Sequence, residues 1–169
     1  MPSPGKTHQL TLIAILLALS LVLGFFERLL NLDFVFPGVK LGLANIVIVC
    51  GLYLLDFPQA LLLTLLKCFA GVLLIGSFLA FWFSLSGALV SFAVMWGLKN
   101  LLKEKISPIG VSVCGGVCHN LGQMAVALFL VGNPALIAYL PVLIAAGAIT
   151  GFLVGLTVRV ILNLNPKLF

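Results

Sequence analysis

Lys67 stands in the run Leu65-Leu66-Lys67-Cys68, near the middle of a long apolar stretch. An ammonium group at that depth is expensive unless it faces protein, water or ligand, and burial favours its neutral form. Backbone carbonyls, or an acid such as Glu27 or Asp33, would give it a structural role; otherwise it is a contact for a ligand or ion. A second polar cluster lies in Cys114-Gly115-Gly116-Val117-Cys118-His119-Asn120-Leu121-Gly122-Gln123. His119 and Gln123 are four apart and Asn120 and Gln123 three apart, so on a helix the three share one broad face. Such a stripe either bonds neighbouring helices together or lines a pocket. The third is Phe36-Pro37-Gly38-Val39-Lys40-Leu41-Gly42-Leu43-Ala44-Asn45. Pro37-Gly38 suits the centre of a type II turn, and Lys40 and Asn45 follow it in the first turns of an apolar run.

Arg28, Lys40 and Lys67 supply positive charge, and Asn45, His119, Asn120 and Gln123 supply hydrogen bonds. That combination suits a carboxylate, a phosphate or another strongly polar head group. The 13 phenylalanines and the many leucines offer surface for an apolar body. A metal centre does not follow. Cys114 and Cys118 align on a helix, but His119 points about 100° away and no second ligand pair is present. Nor does the chain carry a GxxxxGK loop, a paired-aspartate motif or a nucleophile elbow. With four acids in all, it has almost nothing for metal-assisted phosphoryl or prenyl chemistry. We expect no cofactor and no catalysis by this chain alone.

These residues need elements to hold them. Of 169 residues, 63% are hydrophobic and 8% charged, with a mean hydropathy of +1.32. Ordinary soluble domains are about 45–50% apolar and about 25% charged, so the chain reads as one integral membrane domain over 1–169. The net charge of +5 is scattered at segment ends and signals topology rather than nucleic-acid binding. The first apolar run lacks a small-residue cleavage signature, so it is expected to be retained as a span. Cys50, Cys68, Cys114 and Cys118 all fall in apolar runs and read as reduced packing residues.

Crossing a bilayer takes about 20 apolar residues. That rule gives six helical spans at 10–26, 39–55, 58–75, 78–98, 109–131 and 135–162. Glu27-Arg28 ends the first, and Asp56-Phe57-Pro58 separates the second from the third. Gly76-Ser77 is a tight bend, 99–108 a basic loop with a short surface helix, and Gly132-Asn133-Pro134 a turn. The sixth has a kinked or interfacial start around Pro141. Lys6, Lys99, Lys103, Lys105, Arg159 and Lys167 fall on one side, against Arg28 and Lys40 on the other. The positive-inside rule then puts both termini in the cytoplasm. Gly147, Gly151 and Gly155 form a small-xxx-small row, which lets a neighbouring helix approach closely. Ala14 and Ala18 make a comparable row, and spacing alone reads it as internal packing.

The Phe36–Asn45 decapeptide resembles the signature of a bacterial family labelled heptaprenyl diphosphate synthase component I, also called the Gx transporter family. The resemblance extends over most of the chain. That family is similar to the substrate-binding S-components of energy-coupling factor (ECF) transporters, six-helix proteins of the bacterial cytoplasmic membrane with an outward-facing vitamin pocket. The resemblance implies that Ala14-Ile15-Leu16-Leu17-Ala18 is the Ala-x-x-x-Ala row by which S-components dock on the T-component. It implies a T-component and two ATPase subunits as partners, and an S-component that topples in the membrane to carry its ligand inward. The leading expectation is therefore a substrate-binding importer subunit. The alternatives are a noncatalytic membrane subunit of polyprenyl (heptaprenyl) diphosphate synthesis, or a structural or electron-transfer-associated subunit.

Overall fold

The computed structural model describes residues 6–29, 41–75 and 78–164. Six helices form in chain order: α1 (Lys6–Leu29), α2 (Leu43–Leu54), α3 (Phe57–Ile75), α4 (Phe78–Leu102), α5 (Pro108–Val131) and α6 (Leu140–Leu164). No strand occurs among the described residues. The Pro37–Gly38 turn, Lys40, Asp33 and the Gly76–Ser77 bend lie outside the described residues.

Local chemistry sets most of the boundaries. Ser107 caps α5, its hydroxyl accepting from the Gly110 amide at 3.2 Å, with Pro108 in the first turn. At the other end Gly132 turns left-handed (φ 66°) and its amide donates to Leu128 O at 2.9 Å. Asn133 then caps a 3-10 segment, Pro134–Tyr139, which leads into α6 and forms the irregular start expected around Pro141. Before α3, the Gln59 side chain accepts from the Asp56 amide at 3.3 Å, one half of a capping box.

Three boundaries depart from the sequence reading. α1 continues through Glu27-Arg28 to Leu29 rather than stopping before them. α4 runs on past Lys99 to Leu102 and ends in a 3-10 turn over Lys103–Lys105. The second span shrinks most: expected over 39–55, α2 has only 12 residues, about 18 Å of helix. Gly42 is the reason, since its left-handed φ of 78° breaks the helix just ahead of Leu43. Among the described residues four segments are long and apolar enough to cross a membrane: Thr7–Leu29, Phe78–Lys105, Pro108–Val131 and Pro134–Leu164. α2 and α3 are shorter apolar helices.

Successive helices run antiparallel. Gly24 lies by Ala44, Gly51 by Leu63, Gly115 by Met95 and Gly116 by Gly147, and Phe57 packs on Phe92 and Trp96 with centroids 5.7 and 5.1 Å apart. The start of α1, the α2–α3 and α4–α5 turns and the end of α6 therefore share one end of the bundle. That end is solid, packed by Ile13, Val47, Leu52, Leu63, Phe92, Val111 and Val158. Lys99 seals it: Nζ donates to Leu52 O at 2.5 Å and lies 5.1 and 5.0 Å from the Tyr53 and Trp96 ring centroids. Large apolar residues such as Ile15, Phe69, Leu73, Phe129, Ile149 and Phe152 face outward. A multi-pass membrane protein presents its surface that way.

α5 and α6 touch backbone to backbone. A Cβ on Gly151 would stand 2.6 Å from Ser112 O, and one on Gly155 would stand 2.6 Å from Ile109 Cα. The glycine row is thus the packing device its spacing predicts, and neither neighbour is a flexible side-chain end. Gly151→Leu is expected to force the helices apart and to destabilise the protein by about 3 kcal/mol or more. Thermal unfolding in detergent measures this, with exposed Leu153→Ala as the matched control near zero.

Candidate functional site

The half of the bundle opposite the solid end holds a partly open cavity of about 700 Å³. Ligand pockets commonly measure about 300–1,000 Å³. Its wall takes in the last turns of α1, the start of α2, the second half of α3, the first half of α4 and the middles of α5 and α6. Because α2 starts low, none of the described helices fills the space above its N-terminus. Arg28, Asn45, Lys67, His119, Asn120 and Gln123 all line the cavity. Six of the seven residues singled out for binding therefore meet in one place, although they come from four helices. Lys40 lies outside the described residues.

Lys67 projects from α3 toward α2, where its Nζ donates to Asn45 Oδ1 at 2.5 Å. An amide oxygen, a partner the sequence reading did not offer, thus meets the ammonium. Glu27, suggested there as the lysine's acid, accepts the Gly42 amide at 2.6 Å. Its carboxylate sits at the N-terminus of α2, where exposed amides and the helix dipole favour negative charge. The first helix thereby holds the short second helix at its open end.

On α5 the predicted stripe faces inward, and its members differ in what they touch. Asn120 Nδ2 donates to Leu143 O at 2.7 Å, stitching α5 to α6. His119 and Gln123 lie against α4, which can approach because residue 87 is glycine. A Cβ there would stand 2.8 Å from His119 O, 2.9 Å from His119 Cε1 and 3.0 Å from Gln123 Cγ. Among the described residues no group of three His, Cys, Asp or Glu side chains is placed to hold a metal ion.

The sequence reading missed how small the remaining wall is. Ala80, Ser84, Ala88 and Ser91 line it from α4, Thr64, Cys68 and Gly71 from α3, and Ser112, Gly115 and Gly116 from α5. Spacings of four, four and three along α4 carried that signal, hidden among bulkier neighbours. The phenylalanines do not build the apolar wall: Phe25 is the one that lines the cavity among the described residues, while others such as Phe26, Phe69, Phe78 and Phe129 point outward. Ala14 and Ala18 are exposed on the outer face of α1 rather than packed inside.

Fold and cavity together define a multi-pass helical membrane protein with a cup in one half of its thickness, whose apolar wall carries a few charged and amide groups. Its family follows from sequence: residues 16–161 match the family model described as heptaprenyl diphosphate synthase component I, and the chain belongs to that family. No curated protein and no solved structure matches.

Removing the Glu27 carboxylate should loosen α2. Glu27→Ala is expected to lower stability by about 1–3 kcal/mol, the range for losing a partner of a buried polar group. Glu27→Gln, which keeps an acceptor oxygen, should lose less. Thermal unfolding in detergent ranks the two: equal losses would show that the charge carries the whole effect, and a Gln variant as stable as wild type would show that the charge adds nothing.

Proposed function

We propose that this chain is the substrate-capturing membrane subunit, or S-component, of an ECF-type importer in the bacterial cytoplasmic membrane. The single 1–169 domain would have six membrane-embedded helices and both termini in the cytoplasm. One observation carries the reading: a cavity of about 700 Å³ gathers Arg28, Asn45, Lys67, His119, Asn120 and Gln123 at one end of the bundle. Lys99, Lys103, Lys105 and Arg159 mark the solid end. The positive-inside rule then turns the cavity to the outside. A ligand with an anionic head would reach Lys67 and Arg28 from there, with Lys40 on its route, and a small amphipathic metabolite of vitamin size fits the volume.

No nucleotide site is encoded, so ATPase subunits acting through a T-component would drive import. The exposed faces of Ala14 and Ala18 give that partner a flat stripe where helix backbones approach closely. The second reading is a noncatalytic membrane subunit of polyprenyl diphosphate synthesis, and the family's description favours it. Against it stands the set of charged and amide groups, Arg28, Lys67, Asn45, Asn120 and Gln123, to which an isoprenoid chain offers no hydrogen bond.

Co-purification separates the two. Mild-detergent capture of the tagged chain from its native cells is expected to bring down a T-component and two ATPase subunits. A soluble prenyltransferase in their place would establish the second reading. Ala14→Leu and Ala18→Leu should each reduce T-component recovery at least several-fold while ligand bound by native mass spectrometry stays at one per chain. Lys67→Ala should lower ligand occupancy about tenfold or more, and unchanged occupancy would leave the lysine a structural role only.

A further inference from the structure

The floor of the cavity holds two hydroxyl groups that nothing in the fold explains. Ser91 on α4 and Ser112 on α5 are only 6% and 3% exposed, and both line the cavity. The other hydroxyls of the wall are engaged. Ser20 donates to Leu17 O, Thr64 to Ala60 O and Thr150 to Gly147 O, while Ser84 donates to Cys68 Sγ. Neither the Ser91 nor the Ser112 hydroxyl has a hydrogen-bond partner among the described residues. Yet among the described residues no side-chain oxygen is both fully enclosed and unsatisfied, so each of these two reaches open space, and the open space they border is the cavity.

Their surroundings keep them available. Ser91 Oγ faces Gly115, where a Cβ would stand 3.2 Å from it. Ser112 lies one helical turn before Gly115 and Gly116, so α5 places no side chain between the two hydroxyls and the space above them. A nearly buried hydroxyl without a protein partner needs one in the space it faces. Alanine at either position would remove that need and suit a helix as well.

We infer that Ser91 and Ser112 form a second polar subsite at the base of the cavity, opposite the Lys67–Asn45 pair, so that the ligand is bipolar. The inference rests on the ligand-binding role proposed above for the cavity. Ser84 touches Cys68, the neighbour of Lys67, and Ser91 is seven residues further along α4, which is about 10 Å of helix. One end of the ligand is an acid or phosphate held by Lys67. The other end carries a hydroxyl or carbonyl that satisfies the floor, across a short apolar middle. A plain hydrocarbon tail would strand both serines and is selected against.

Octanoate and 8-hydroxyoctanoate test this as a matched pair that differs only at the far end. Titrated into the purified full chain in detergent by native mass spectrometry, wild type should bind the hydroxy acid about tenfold more tightly. Ser91→Ala with Ser112→Ala should abolish that preference, the two acids then binding equally, whereas Lys67→Ala should weaken both acids alike. Equal binding of the two acids by wild type, or a preference that survives in the double variant, would overturn the floor subsite and leave the Lys67 anchor standing. If wild type binds neither acid, the anchor fails instead. The floor is then decided by Ser91→Cys and 2-sulfonatoethyl methanethiosulfonate, with peptide mapping to separate that thiol from the native cysteines. Modification at position 91 supports an accessible polar floor, and an unmodified thiol overturns it.

Discussion

A helix of 12 residues cannot fill the thickness that neighbours of 24 and 25 residues span. Every feature of the cavity half depends on that shortfall. α2 packs firmly at the solid end, where Leu52, Leu55 and Leu63 are buried and Lys99 holds the Leu52 carbonyl. Toward the other end it stops, and no other described helix takes its place. The N-terminal amides that such a stop exposes must find acceptors in a setting poor in water. Glu27 provides one for Gly42, and Asn45 in the first turn of α2 receives the ammonium of Lys67. The charged and amide groups of this region therefore follow from ending a helix inside a bundle, and the same groups leave a polar rim.

The α4–α5–α6 side works on the opposite principle. Lipid tails are as apolar as leucine, so helices in a bilayer associate through close contact and hydrogen bonds rather than exclusion of water. Gly87, Gly116, Gly147, Gly151 and Gly155 bring backbones to distances that no Cβ would allow, and Asn120 adds a hydrogen bond across the α5–α6 seam. This rigid slab fixes the places of His119 and Gln123. The bulky side chains displaced from the contacts turn outward toward lipid, which is why the aromatic residues contribute little to the cavity.

What could be read from the sequence was what neighbouring residues decide among themselves. Pro108, Gly132-Asn133-Pro134 and Asp56-Phe57-Pro58 mark helix ends by their own backbone preferences, so helix number and order were legible. Lys67 and the His119–Asn120–Gln123 stripe stand out because polar groups in apolar runs need a reason. The length of α2 was not legible, because Gly42 competes with a stronger turn signal at Pro37-Gly38 four residues earlier. The Glu27–Gly42 and Lys67–Asn45 bonds join residues 15 and 22 apart, and only the packing of α1, α2 and α3 selects them. Serines are ordinary in membrane helices, and burial without a partner is visible only once the helices are assembled.

The solid end closed by Lys99 has an electrical consequence. In a bilayer, a cup that admits water and ions from one side carries that side's potential down to its base. The membrane voltage, about 2.3 kcal/mol per elementary charge for each 100 mV, then drops mainly across the packed half around Leu52, Leu63, Phe92 and Val158. Under the ligand-binding role proposed for the cavity, a charged molecule beside Lys67 would traverse little of that field. Its occupancy would then be almost independent of how strongly the membrane is energised, and the sealed base would keep the cup from short-circuiting the gradient.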